Sequence, residues 1–256
     1  MNPEIPAILH QTWRTTELPS PFAEWRAGWI ANHPDWSHRF YSDAAIRRVI
    51  SDRAPQWLQT FETLPRMIQR VDFFRYLILY LDGGLYADID MICYLPCDPL
   101  LKGASCVLSI ENYLGKYFQT KFGYQQPWQL ANFVLAARPN HPFLAALLEK
   151  IARLAATPIP NDDCVEDITG PRMLTRLACS MKRENRGAIT ILPQINFNPP
   201  VFYPRIGPLV PQIYARHVCS GSWRTGSVSW RRPWREWLGP RGQLPNPFAT
   251  TGPVLP

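Results

Sequence analysis

The chain has 256 residues, 46% of them hydrophobic and 18% charged, with a formal net charge of +7. That length and apolar content fit one large domain or two small ones and exclude a disordered chain. The 27 prolines exclude a helical bundle or coiled coil, since each proline inside a helix costs about 3 kcal/mol. No apolar run reaches the roughly 18 residues that a transmembrane helix requires.

In chain order, Ile5 to His10 reads as a short buried strand. Pro21 to Ala31 carries Phe22, Trp25, Trp29 and Ile30 at helical spacing. Arg39 to Tyr41 reads as a second strand, and Ser42 before DAAIRRVI as an N-cap and helix. Pro65 to Asp82 is the clearest helix, with proline at its start and Gly83-Gly84 as its stop. Met67, Ile68, Val71, Phe74, Leu77, Ile78 and Leu81 make its buried stripe. LYADIDMICYL then reads as one strand, followed by a strand at Cys106 to Ile110. Helices at Pro142 to Ala155 and Pro171 to Met181 and a strand near Ala188 to Leu192 complete the pattern. Alternating strands and helices predict an α/β fold around a sheet with parallel strands. The division expected is a domain over residues 1–227 and a basic, Trp/Pro-rich tail over 228–256.

The six cysteines form no C-x-x-C pair, so a zinc site is not indicated, and they read as reduced, mostly buried thiols. The first residues lack a basic region followed by a long apolar one. A cytoplasmic protein is expected on these grounds. In the tail, Trp230, Trp234 and Trp237 alternate with Arg231, Arg232 and Arg235. This mixture suits a membrane–water interface, and predicts either a peripheral contact at the inner face of a membrane or packing on the protein's own surface.

Asp88 and Asp90 carry the strongest chemical signal. In a strand, residues two apart share a face about 7 Å apart. Two acids on one apolar strand resist ionisation unless a cation lies beside them. Oxygen ligands of this kind suit Mg²⁺ or Mn²⁺, and so few of them suit a metal shared with substrate phosphates. The plain alternative is a solvated strand end. Asp72 and Arg75 are three apart on the preceding helix. Their spacing fits a surface ion pair as well as a face turned toward the same pocket.

Taken together, ILHQTW near the N-terminus and RVDFFRYLILYLDGGLYADID resemble the DXD-containing sugar transferases of glycosyltransferase family 32. These include yeast-type mannosyltransferases and bacterial capsular and lipopolysaccharide enzymes, and are distantly similar to clostridial glucosylating toxins. Weaker likeness extends through NFVLAARPNHPFL, DITGPRML and HVCSGSW. The resemblance implies a GT-A fold and a metal-dependent transferase. Its donor would be a UDP- or GDP-sugar held through Mn²⁺ or Mg²⁺, its acceptor a saccharide or glycolipid, and transfer would retain the anomeric configuration. It further implies that Trp13 stacks on the donor base, that Asp72 and Arg75 hold the donor sugar, and that Asp88 lies near ribose and sugar hydroxyls. Asp90 would ligate the metal, while His217 with Ser222 and Trp223 would close the metal and diphosphate site.

The residues support several of these roles physically. Trp13 follows a buried strand, at the end where ligands bind in open α/β sheets. Imidazole is a common ligand for Mn²⁺, which suits His217. Gly170 before Pro171 reads as a turn at a helix start with N–H groups free to face an anion. Asn132 and Asp167 are candidates for the sugar or acceptor side. The competing readings are a metal-dependent phosphohydrolase, a nucleic-acid binder suggested by the basic charge, and a non-catalytic carbohydrate-binding protein.

Overall fold

The computed structural model describes residues 4–157, 165–200 and 212–219. The tail and Cys164 therefore lie outside the described residues, and the five other cysteines are free thiols.

In chain order the elements are β1 (Ile8–Trp13), α1 (Phe22–Asn32), β2 (Ser37–Ser42), α2 (Asp43–Arg53), α3 (Leu58–Thr63) and α4 (Met67–Asp82). Next come β3 (Gly84–Ala87), β4 (Met91–Cys93), α5 (Asp98–Leu101), β5 (Cys106–Tyr113), α6 (Lys116–Phe122), β6 (Trp128–Leu130) and β7 (Val134–Ala137). The last are α7 (Pro142–Ala155), α8 (Val165–Ile168), α9 (Pro171–Ser180), α10 (Arg183–Arg186), β8 (Thr190–Leu192) and β9 (Ala215–His217).

The central sheet has the order β2-β1-β3-β7-β5-β6, with β8 joined to β5. The α/β fold expected from the alternating pattern is present. The pairs β1–β2, β1–β3 and β5–β8 are parallel, whereas β7 runs antiparallel to both β3 and β5. The middle of the sheet is buried on both faces, which explains the near-continuous apolar runs of β3, β7 and the first half of β5. One face packs Tyr86, Leu108, Ile110 and Leu135 against Phe74, Ile78, Leu144 and Leu148 of the helices. The other packs Leu9, Leu85 and Val107 with Trp29 of α1 and with Met91 and Ala215 of a two-stranded sheet, β4–β9.

Local chemistry sets the element ends. The Ser42 hydroxyl accepts from the Ala45 N–H at 3.3 Å and caps α2. Helix α4 stops at Gly83, whose φ is +67°, and Gly84 follows at +103°. A side chain on Gly84 would meet the Ile8 carbonyl oxygen at 2.5 Å. This close approach lets β3 enter the sheet directly beside β1.

The expected single strand through LYADIDMICYL is two strands. β3 ends at Ala87, and the Met91 N–H turns back to the Asp88 carbonyl at 3.2 Å. The chain then leaves the central sheet and pairs with β9, while the Trp29 indole N–H fixes the Met91 carbonyl at 3.0 Å. Side-chain alternation does not reveal such a turn, because Ala87, Ile89 and Met91 stay buried all the way through it.

Candidate functional site

β1 and β3 are parallel to each other, and β5 shares their direction because both β3 and β5 oppose β7. Their carboxyl ends therefore open on one edge of the sheet, the edge at which open α/β sheets bind ligands. Trp13 closes β1, Asp88 follows β3, and Glu111 lies near the end of β5.

The turn at residues 88–90 changes the geometry expected for the two acids. Asp88 and Asp90 lie on a turn rather than on one strand face. One ligand atom from each, together with one from His217, falls within 4.8 Å of the others. His217 reaches the turn because it stands opposite Met91 in the β4–β9 pair, and the Val218 N–H donates to the Asp90 carbonyl at 2.9 Å. Its ring stacks on Phe133 with centroids 4.0 Å apart, and its Nε2 lies 3.2 Å from Asp90 Oδ1. Burial disfavours charge on His217, but the Asp90 carboxylate and the Cys219 thiol beside it outweigh burial and raise its pKa well above the usual imidazole range. Two carboxylates and an imidazole, this close and partly buried, are a donor set that fits Mn²⁺ or Mg²⁺.

Asp72 and Arg75 do not form the surface pair that their spacing allowed, for each is only 2% exposed. Arg75 lies 3.1 Å from Asp72 and 3.1 Å from Asp88, donates to the Asn132 carbonyl, and sits over the Tyr86 ring. The Asn132 amide donates to Asp72 Oδ1 at 3.1 Å and the Thr169 hydroxyl to Oδ2 at 2.9 Å. Burial raises the Asp72 pKa to about 6 against the pull of Arg75, and burial likewise raises that of Asp88. The Tyr86 hydroxyl donates to Asp88 at 3.1 Å and is itself 2.8 Å from the Thr12 hydroxyl. Helix α4, the β6–β7 connection and α8 thus converge on one buried cation between two acids.

The remaining expected residues are distributed as follows. Trp13 is half-buried and packs on Phe22 at 4.6 Å between centroids, with the Arg14 guanidinium over its ring. Asp167 pairs with Arg172 at 2.8 Å and Arg176 at 2.7 Å. Gly170 stands at the N-cap of α9, and its own N–H donates to the Val165 carbonyl at 3.0 Å. It is needed there because a Cβ would come within 2.7 Å of the Glu166 Cα. Ser222 and Trp223 lie outside the described residues.

Sequence reasoning missed Thr12, Tyr86, Phe133, Thr169 and Glu111. A tyrosine two residues before Asp88, on the same strand face, was the one signal available for Tyr86. The others depend on contacts far apart in sequence.

Residues 19–107 match the family described as glycosyltransferase sugar-binding region containing DXD motif. The chain is 30% identical over 212 residues to inositol phosphoceramide mannosyltransferase 2 of Schizosaccharomyces pombe, covering 83% of this chain and 54% of that one. It is 29% identical over 192 residues to mannosyl phosphorylinositol ceramide synthase CSH1 of Saccharomyces cerevisiae, covering 73% of this chain and 47% of the relative. The chain thus spans about half the length of these curated relatives. In fold it is similar to the ligand-free glycosyltransferase domain from the YGT toxin, with a TM-score of 0.50 at 12% identity, covering 74% of this chain and 80% of that one.

These relatives also correct one expectation. The cytoplasmic location was expected from the composition of the first residues, and it does not stand against yeast mannosyltransferases named for a ceramide acceptor, a membrane lipid. With this match, these relatives and this fold, the chain resembles the DXD-containing glycosyltransferases of the family 32 type and has a GT-A fold.

Proposed function

We propose that this chain transfers a hexose, with mannose the first candidate, from a nucleoside-diphosphate sugar to the polar head of an inositol-phosphate-bearing lipid, with retention at the anomeric carbon. The observation that carries the reading is the turn that gathers Asp88, Asp90 and His217 at the carboxyl edge of β1, β3 and β5. The named acceptors of the yeast relatives favour the lipid.

In this reading Asp90 and His217 hold Mn²⁺ or Mg²⁺, with Asp88 beside them. The bound cation supplies positive charge opposite the departing diphosphate. Trp13 offers an indole face to the base, and stacking of this kind is worth on the order of 1–3 kcal/mol. Asp88 faces the donor's hydroxyls, and Arg75 keeps its carboxylate ionised and in place. Asp72 orients Arg75, so this pair acts on the donor through Asp88. Asn132 and Thr169 keep Asp72 fixed. His217 holds its orientation by stacking on Phe133. The acceptor hydroxyl attacks the anomeric carbon on the face from which the diphosphate departs. The anomeric carbon–phosphate oxygen bond breaks, and the leaving oxygen takes the acceptor's proton. Positioning of the two substrates supplies much of the acceleration. Asp167, paired with two arginines, borders the acceptor side.

The test is incubation of the purified chain with GDP-mannose, or in parallel UDP-hexoses, together with inositol phosphoceramide and Mn²⁺. Mass spectrometry of the lipid and NMR of the new linkage give the readout. A hexose added with retained configuration, and only with metal, is expected. Neither transfer nor metal-dependent donor hydrolysis with any of these sugars would overturn the reading.

A further inference from the structure

Glu111 is the acid at this edge that no role so far uses. It lies on β5, where the register against β6 shifts: Ile110 stands opposite Leu130, yet Asn112 stands opposite the adjacent Gln129. Glu111 is therefore the extra residue of a β-bulge, a device that re-aims a side chain and recurs beside binding sites. The bulge is held in place. The Asn198 amide donates to the Glu111 carbonyl at 2.8 Å, and the Gln129 amide donates to Glu111 Oε2 at 2.8 Å. Gln129 is in turn oriented by the Tyr124 hydroxyl, 2.8 Å from its Oε1. Among the described residues none donates to Glu111 Oε1.

Position then suggests the ligand. Neighbouring strands lie about 4.8 Å apart. Along the edge, Trp13 on β1 is one strand from Asp88 on β3, and Glu111 on β5 is two strands beyond Asp88, about 10 Å on the far side. A base at Trp13 and a diphosphate at Asp88 and Asp90 direct the hexose, and the acceptor next to it, toward Glu111. Glu111 is half-buried, so with Oε2 held by Gln129 its other oxygen is open to a donor arriving in the cleft, and a carbohydrate hydroxyl is a neutral one of the right kind. Burial raises the Glu111 pKa against the Gln129 hydrogen bond.

We propose that Glu111 binds a carbohydrate hydroxyl at the reacting end of the site, on either the transferred hexose or the acceptor. This rests on the transferase reading above. The alternative is a purely structural acid that fastens β5 to β6 through Gln129.

The experiment compares the parent with Glu111→Ala, Glu111→Gln and Gln129→Ala. Calorimetry with Mn²⁺ measures GDP against GDP-mannose, and UDP against a UDP-hexose, and kinetics measure the KM for inositol phosphoceramide alongside donor hydrolysis. Glu111→Ala is expected to bind the free nucleotide as the parent does. If the hydroxyl is the donor's, Glu111→Ala loses at least about tenfold in affinity for the nucleotide sugar. If it is the acceptor's, donor binding and hydrolysis persist while the acceptor KM rises by about the same factor. In either case Glu111→Gln falls between the parent and Glu111→Ala, and Gln129→Ala has the smaller effect. Parent-like values for Glu111→Ala in both arms would overturn the proposal. So would equal losses in Glu111→Ala and Gln129→Ala accompanied by equal drops in thermal midpoint. A parent that binds no nucleotide with Mn²⁺ would instead overturn the transferase reading, and this proposal with it.

Discussion

Replacing Arg75 by methionine isolates the electrostatic centre of the site. Methionine fills much the same length of buried space, so the change is mainly the loss of charge and donors. Arg75 lies 3.1 Å from both Asp72 and Asp88, and its removal leaves one buried and one partly buried carboxylate without their cation. Breaking a buried pair by deleting one partner costs about 3–5 kcal/mol, because the remaining charge stays buried. Against a total stability of about 5–15 kcal/mol, that is a large fraction. Urea unfolding followed by tryptophan fluorescence measures it. The deficit has a definite pH dependence. Without Arg75 the folded-state pKa values of Asp72 and Asp88 rise further above their unfolded values, so protonation favours the folded state and the deficit shrinks between pH 7 and pH 5. A loss below about 1 kcal/mol at pH 7, or the same loss at both pH values, would show that the acids do not depend on Arg75.

Further outcomes follow from neighbouring residues. The folded-state pKa of Asp72, about 6 against an ordinary 3.8, means that its contribution to stability falls as pH rises between those values. In Asp72→Asn that dependence disappears, so the difference in unfolding free energy from the parent shifts by up to about 3 kcal/mol between pH 4 and pH 7; a constant difference would contradict it. Gly84→Ala destabilises by about 2 kcal/mol or more, since the backbone there favours glycine and the Ile8 carbonyl blocks the methyl group. Gly103→Ala, also at positive φ but with nothing within 4 Å of its Cβ, costs less, and equal midpoints in urea for the two would refute the steric argument. Tyr86→Phe removes a donor to Asp88 and costs about 1–3 kcal/mol in the same assay; an unchanged midpoint would mean that this hydrogen bond adds nothing.

Much of the scaffold was legible because its signals are local. The helix over Pro142–Ala155 matches its apolar period to the residue, and Ser42 caps α2 as its position implied. The stop at Gly83-Gly84 was visible as a pair of glycines, and the positive φ values explain it. The turn through Asp88–Asp90 was not legible, because alternating apolar residues fit an unbroken strand equally well. Short elements such as β6, β7 and β9 escaped because three or four residues carry little periodicity. In the site, Asp88, Asp90 and His217 could be named as candidates from residue type, order and resemblance. What Asp72 and Arg75 do could not, since an i,i+3 pair reads the same on a surface and in a core. Their burial is decided by Asn132 and Thr169, roughly 60 and 97 residues away along the chain. Glu111 was invisible because a bulge is a property of the pairing between two strands.

The most direct measurement is calorimetric titration of a nucleoside diphosphate into the chain with and without Mn²⁺, in the parent, Asp90→Asn and His217→Ala. The parent should bind GDP or UDP only when Mn²⁺ is present, and each substitution should abolish the metal-dependent part while leaving the chain folded. Binding that ignores the metal, or that survives both substitutions, would contradict a metal-centred donor site at the turn between β3 and β4.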